Sequence, residues 1–186
     1  MPHTCHIPPI GALLAVGGAL LLAAASPRVA AAPNPPAPAS VVVLAVFDFE
    51  LDDDTPAAEL EGKVTSSTAS LQKASAAARR ILAQSGRYRL VDVSGAQAGR
   101  VRDHSLRLCN GCEAAIARRL GADQSLLGIV MRATQTDYYV IVQIRDARSG
   151  KLLDQQSANF AGSEDGWASG VRMLIQHQVL ATPDVP

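Results

Sequence analysis

Cys109 and Cys112 stand in a C-x-x-C, Cys-Asn-Gly-Cys, and the chain's other cysteine is Cys5. In an oxidising compartment such a pair reads first as a structural disulfide. The loop it closes is so small that the chain-entropy model gives it about 2 kcal/mol. Redox chemistry is an alternative, because the pair opens a helical segment and a helix N-terminus favours the thiolate. Metal is another: His104, five residues before Cys109, makes a three-ligand set for Cu(I) or Zn with the two thiolates. No second C-x-x-C completes a closed zinc site, and Glu113 stands where covalent haem attachment needs histidine. The structural disulfide is the expectation, and no cofactor is expected. Cys112 lies four residues before Ile116 and eight before Leu120, which predicts that it points inward and that Cys109 is the more exposed of the two.

A second concentration of chemistry is acidic: Asp48, Glu50, Asp52, Asp53, Asp54, Glu59 and Glu61, with no basic residue among them. Oxygen ligands at that density can hold Ca²⁺ or Mg²⁺, but the glycine-containing spacing of an EF-hand is absent, so the stretch reads as a solvated loop. Between Arg79 and Arg119 nine arginines face Asp92, Asp103 and Glu113 alone. That is either a surface for an acidic partner or water-exposed helix faces. There is no G-x-S-x-G, H-E-x-x-H, phosphate-binding loop or dinucleotide glycine pattern. His177 falls on the last helix, where a surface histidine is the default. Trp167, flanked by Gly166 and Gly170, reads as a core anchor at a closely packed helix start.

The elements that position these residues follow from period. Residues 41–49, VVVLAVFDF, are apolar on both faces and read as a central strand. From Ser67, Leu71, Ala74, Ala78, Ile81 and Leu82 recur at helical spacing, with Ser66, Ser67 or Thr68 to cap the start and Gly86 to end it. Residues 87–93 form a second strand, 94–108 an irregular stretch, and 112–120 a short helix stopped by Gly121. Three strands follow at 124–133, 138–147 and 151–160, joined by turn residues into an antiparallel meander. Trp167, Val171, Leu174, Ile175 and Gln178 mark a last helix. The expected fold is α/β: three helices on a mixed five-stranded sheet, in the order β-α-β-α-β-β-β-α. Along the fourth strand Tyr139, Ile141, Gln143 and Arg145 alternate with Tyr138, Val140, Val142 and Ile144. If the helices cover one face only, the first set is open to a partner protein or a second copy.

Four runs carry a resemblance: VVVLAVFDFE, a helix ending in QSGRYRLVDV, ARRLGADQSLLGIV, and a strand leading to RDARSGKLL. Together they resemble the TolB amino-terminal-like and CsgG-like domains of bacterial envelope proteins. The closer resemblance is to an uncharacterised family of exported bacterial proteins, a domain of unknown function. Its marks are Cys-Asn-Gly-Cys at 109–112 and GSEDGWASGVRML at 162–174. The resemblance spans about residues 41–180 and implies assembly or partner binding at the cell envelope rather than catalysis. A lipidation cysteine, present in the lipoprotein members, is missing, since Cys5 precedes the apolar run.

Composition bounds the rest. Residues 10–25 form sixteen apolar or small residues without a charge, short for a spanning helix and suited to a secretory signal with small-residue exits at 23–25 and 30–32. PNPPAPAS at 33–40 is an extended spacer. The expected organisation is a signal peptide at 1–32, a spacer at 33–40, one α/β domain at 41–180 and a tail at 181–186. Seventeen basic against seventeen acidic residues argue against a nucleic-acid partner, and 4% aromatics against base-stacking platforms. The membrane enters only through an uncleaved signal. The sequence therefore reads as a non-catalytic periplasmic envelope protein that binds or assembles with another protein or with itself. The alternative is a periplasmic thiol-redox or copper/zinc-handling protein built on Cys109 and Cys112.

Overall fold

The computed structural model describes residues 41–53, 64–95, 105–134 and 136–182. The expected signal peptide and spacer, and with them Asp54, Glu59, Glu61 and His104, lie outside the described residues.

The first strand, β1 (Val42–Val46), is apolar on both sides because both are covered: Leu44 and Val46 pack into one core cluster, Ala45 into another. The chain does not leave the sheet at Phe49 as the sequence predicts. It resumes as β2 (Glu50–Asp53), and β1 and β2 both pair parallel with β4 (Gln124–Arg132). Between the pairs Val46–Leu126 and Glu50–Ile129, three residues on one strand oppose two on the other. That one-residue excess is a β-bulge at 47–49. So the expected five strands become six, the first being one strand broken in the middle.

Helix α1 (Val64–Gln84) begins earlier than the cap residues suggest. Ser67 therefore lies within its first turns, buried, and its hydroxyl donates to Glu164 at 3.0 Å. Ala74, Ala78 and Leu82 are fully buried at the expected helical spacing, and Gly86 at φ +74° stops the helix as expected. The sheet continues with β3 (Tyr88–Val91), parallel to β1, and with the meander β5 (Asp137–Asp146) and β6 (Leu152–Ala161) after β4. Its order is β3-β1-β4-β5-β6, with β2 beside β4.

The helices are divided unequally. α1 and α3 (Trp167–Leu174), with the wider turn Ile175–Val179, pack together over Leu44, Leu126, Val130, Tyr138, Val140 and Val142. On the other face lies α2 (Cys112–Arg119), whose Ile116 and Ala117 cover Ala45, Phe47 and Leu127. It spans eight residues and packs on β4. Both faces thus carry helices, so the condition under which the whole set Tyr139, Ile141, Gln143 and Arg145 would lie open is not met. Trp167 is 1% exposed, as a core anchor should be. Its indole lies against the Tyr138 ring and under the Arg132 guanidinium, and the missing side chains of Gly166 and Gly170 make room for the Tyr138 hydroxyl.

Candidate functional site

The bulge exposes backbone groups that β4 cannot satisfy, and α1 supplies the partners. Phe49 N–H donates to Ser75 Oγ at 2.8 Å, and Ser75 in turn donates to Leu71 O. The Arg79 guanidinium donates to Val46 O at 3.0 Å and to the Asp48 carboxylate at 2.7 Å. The other described acids are also engaged rather than solvated, which corrects the loop expected there. Glu50 accepts from Leu106 N–H at 2.7 Å, from Arg107 N–H at 3.0 Å and from the Ser105 hydroxyl. Asp52 pairs with Arg107 at 2.7 Å, and Asp53 with Arg132 at 3.0 Å. Sequence reasoning missed this because each partner lies far along the chain.

Glu50 and Asp52 thereby seat the short 3₁₀ turn Leu106–Leu108 on the sheet, immediately before the cysteines. Cys109 and Cys112 are bonded to each other, with Cα atoms 5.8 Å apart. The tight loop puts Asn110 at φ +44° and Gly111 at φ +114°, and Asn110 is the one non-glycine among the described residues in the left-handed region. Both cysteines are exposed. The inward Cys112 expected from the sequence is therefore wrong. Steps of four residues rotate about 40° around a helix, so Cys112 falls just outside the edge of the buried stripe, beyond Ile116, while Leu120 falls within it. The stripe holds Glu113, Ala114, Ile116 and Ala117.

Glu113, which the sequence offered only as an argument against haem and as one acid among the nine arginines, is 1% exposed. Its Oε1 lies 3.0 Å from Arg145 Nε on β5. Arg145 also donates from Nη2 to Asn110 Oδ1 at 2.9 Å and from Nη1 to Gly150 O at 3.2 Å. It is therefore a clamp beneath α2, which separates it from the three residues expected beside it on the open face. The signal was a charge pair of opposite sign at the two helix-to-strand contacts, unreadable without the pairing. In the next turn, Asp146 accepts from the hydroxyl and N–H of Ser149, which hold its carboxyl below the ordinary 3.8.

Farther along β5, Tyr139, Ile141 and Gln143 lie on the face that carries Arg145. Tyr139 is 39% exposed, while Ile141 and Gln143 are partly buried. Opposite them on β6 stand Asn159, Ser157 and Gln155, and Gln143 Nε2 donates to Gln155 Oε1 at 3.0 Å. β6 is the last strand of the sheet, so its outer edge has no strand beside it among the described residues. Among the described residues no group of three His, Cys, Asp or Glu side chains is arranged to hold a metal, and His104 lies outside them. No described helix is long and apolar enough to cross a membrane.

A mixed sheet with two helices on one face, a short helix on the other and a surface disulfide at that helix's start defines an α/β domain of the helix-flanked class. Residues 42–179 match the DUF3280 family, described as "Protein of unknown function (DUF2380)", and the chain belongs to it. No curated protein matches the sequence. Solved structures similar to the chain include the LpoB C-terminal domain from Escherichia coli, at 16% identity and TM-score 0.47, covering 67% of this chain and 84% of that one. Lipoprotein GNA1162 from Neisseria meningitidis matches at 15% identity and TM-score 0.47, covering 75% and 94%. TolB from Acinetobacter baumannii matches at 16% identity and TM-score 0.43, covering 80% of this chain and 30% of that one.

Proposed function

We propose that the chain is a non-catalytic envelope protein, exported to the periplasm, that works by protein–protein assembly, β6 of one copy pairing with β6 of a second. The observation that carries this reading is the outer edge of β6. The strand is ten residues long, holds one charge, Asp154, and has neither charge nor proline from 155 to 161. Edge strands that stay single are usually guarded by lysine, proline or short length. The one irregularity here lies at the start of the strand, opposite the Ile144/Arg145 step, and leaves the uncharged run regular.

Antiparallel pairing of two identical strands is isologous and closes on itself across a two-fold axis. The full sequence has a formal net charge of zero, and loss of residues 1–32 removes one arginine and no acid, so two copies meet with little long-range repulsion. Tyr139, Ile141 and Gln143 lie one strand in from the edge, on the face that carries Asn159, Ser157 and Gln155 of β6. Sedimentation of protein recovered from the periplasm should show a dimer at micromolar concentration. Ser157→Lys with Asn159→Lys should give a folded monomer, because the charges meet their equivalents across the two-fold. A wild-type monomer throughout the micromolar range rejects the self-pairing.

Support for the envelope address comes from the sequence: the apolar run at 10–25, the small-residue exits, the proline spacer, and the resemblance to TolB amino-terminal-like and CsgG-like domains. Intact-mass measurement of the envelope protein should place the mature N-terminus between residues 26 and 33. Molecules that mostly retain residues 1–25 would contradict cleavage.

A further inference from the structure

We propose that Cys109 and Cys112 form a reversible thiol–disulfide exchange site for a protein dithiol, whose opening releases Asn110 from Arg145 and loosens α2 on the sheet. This goes beyond the assembly role and does not depend on it. A brace buried from solvent would be out of an attacking thiolate's reach, but both cysteines here are exposed. The pair also sits where its redox state has a mechanical consequence. Asn110, inside the loop, and Glu113, the residue after Cys112, both contact the guanidinium of Arg145. The same guanidinium reaches Gly150 O in the β5–β6 turn.

Asn110 stands at φ +44°, a conformation asparagine tolerates better than most side chain-bearing residues, inside the loop that the S–S bond closes. Cutting the S–S bond frees the loop ends, so Asn110 moves and its side-chain oxygen leaves Arg145. The buried pair then loses the contact that fixes the guanidinium from the surface side. Glu113 Oε2 and Arg145 Nε, both buried, make no aligned hydrogen bond, so the guanidinium is oriented by its contacts to Asn110 and Gly150 as well as by the charge of Glu113.

The exchange balances as follows. A thiolate of the dithiol attacks Cys109 Sγ, the S–S bond breaks, and a mixed disulfide forms. Cys112 leaves as a thiolate at the first residue of α2, where the helix N-terminus favours negative charge. The second thiol of the dithiol, deprotonated, attacks the mixed disulfide and expels the Cys109 thiolate. The dithiol ends as a disulfide, and the cysteine pair gains two electrons and takes up the two protons the dithiol released. The exchange is stoichiometric and changes the state of this protein; it is not turnover.

The test uses dithiothreitol and, separately, reduced thioredoxin as the dithiol, without denaturant. Alkylation with peptide mapping scores Cys109 and Cys112 apart from Cys5. The expected result is full reduction of the folded protein and restoration by oxidised glutathione. Amide hydrogen exchange should rise about tenfold or more at 112–119 and 145–150, with α1 and α3 unchanged. Asn110→Ala, left oxidised, should raise exchange at 145–150 in the same direction. A pair that resists both dithiols in the folded state overturns the proposal. So does reduction that leaves 112–119 and 145–150 unchanged, or that unfolds α1 and α3 with them, since either makes the disulfide an inert brace.

Discussion

Gly128 has no side chain because the Phe49 ring occupies the place where a methyl group would go. A strand glycine under such a close approach is a packing requirement rather than a weak point. Phe49 is 3% exposed and belongs to the main core cluster, so it has nowhere to retreat. Gly128→Ala should therefore cost about 1–3 kcal/mol in urea unfolding, as overpacking does, and Phe49→Leu in the same chain should recover part of it. A loss within measurement error for the single change would show that the ring moves freely. Trp167→Ala should cost about 3–5 kcal/mol, the range for truncating a buried aromatic, read from the same unfolding curves. Trp167 was legible as an anchor because one tryptophan between two glycines has few other uses. Cys112 was not, because its orientation turns on where the centre of a short helix's buried stripe falls. That centre is Glu113, and a charged residue there makes sense only once Arg145 is known to lie beneath it.

Elements with a clean period were read correctly: α1 from its four-residue spacing, the meander from its turn residues, and α3 from Trp167, Val171 and Leu174. β2 was not. Glu-Leu-Asp-Asp has poor strand propensity, and it pairs because Arg107 and Arg132, with the N–H groups at 106 and 107, neutralise its acids from other elements. The bulge that leads into it was equally hidden, since its satisfaction depends on Ser75 and Arg79 of α1. Ser75 is completely buried and its hydroxyl meets the freed Phe49 N–H. Ser75→Ala should leave that donor unpaired and cost about 1–3 kcal/mol. Local amide exchange at Phe49 should rise more than at Leu44. Equal stability of variant and wild type would mean that the bulge finds another partner at no cost.

At the scale of the whole molecule, unequal cover decides what the domain offers to others. Two helices close one face, while α2, with eight residues, closes the β1–β4 side of the other and reaches β5 at Arg145. That shortness leaves the β5–β6 half of this face more open, the free edge follows from the place of β6 as last strand, and the composition of 155–161 leaves the edge without charge. The most direct measurement of this account is amide hydrogen exchange along β6 over a dilution series of the protein recovered from the envelope. Strand pairing between copies covers outward N–H groups that no other strand of the described domain covers. Protection within 155–161 should fall on dilution while β1 and β4, enclosed in either state, stay unchanged. Protection in β6 that is identical at every concentration would contradict the assembly of two copies through this edge.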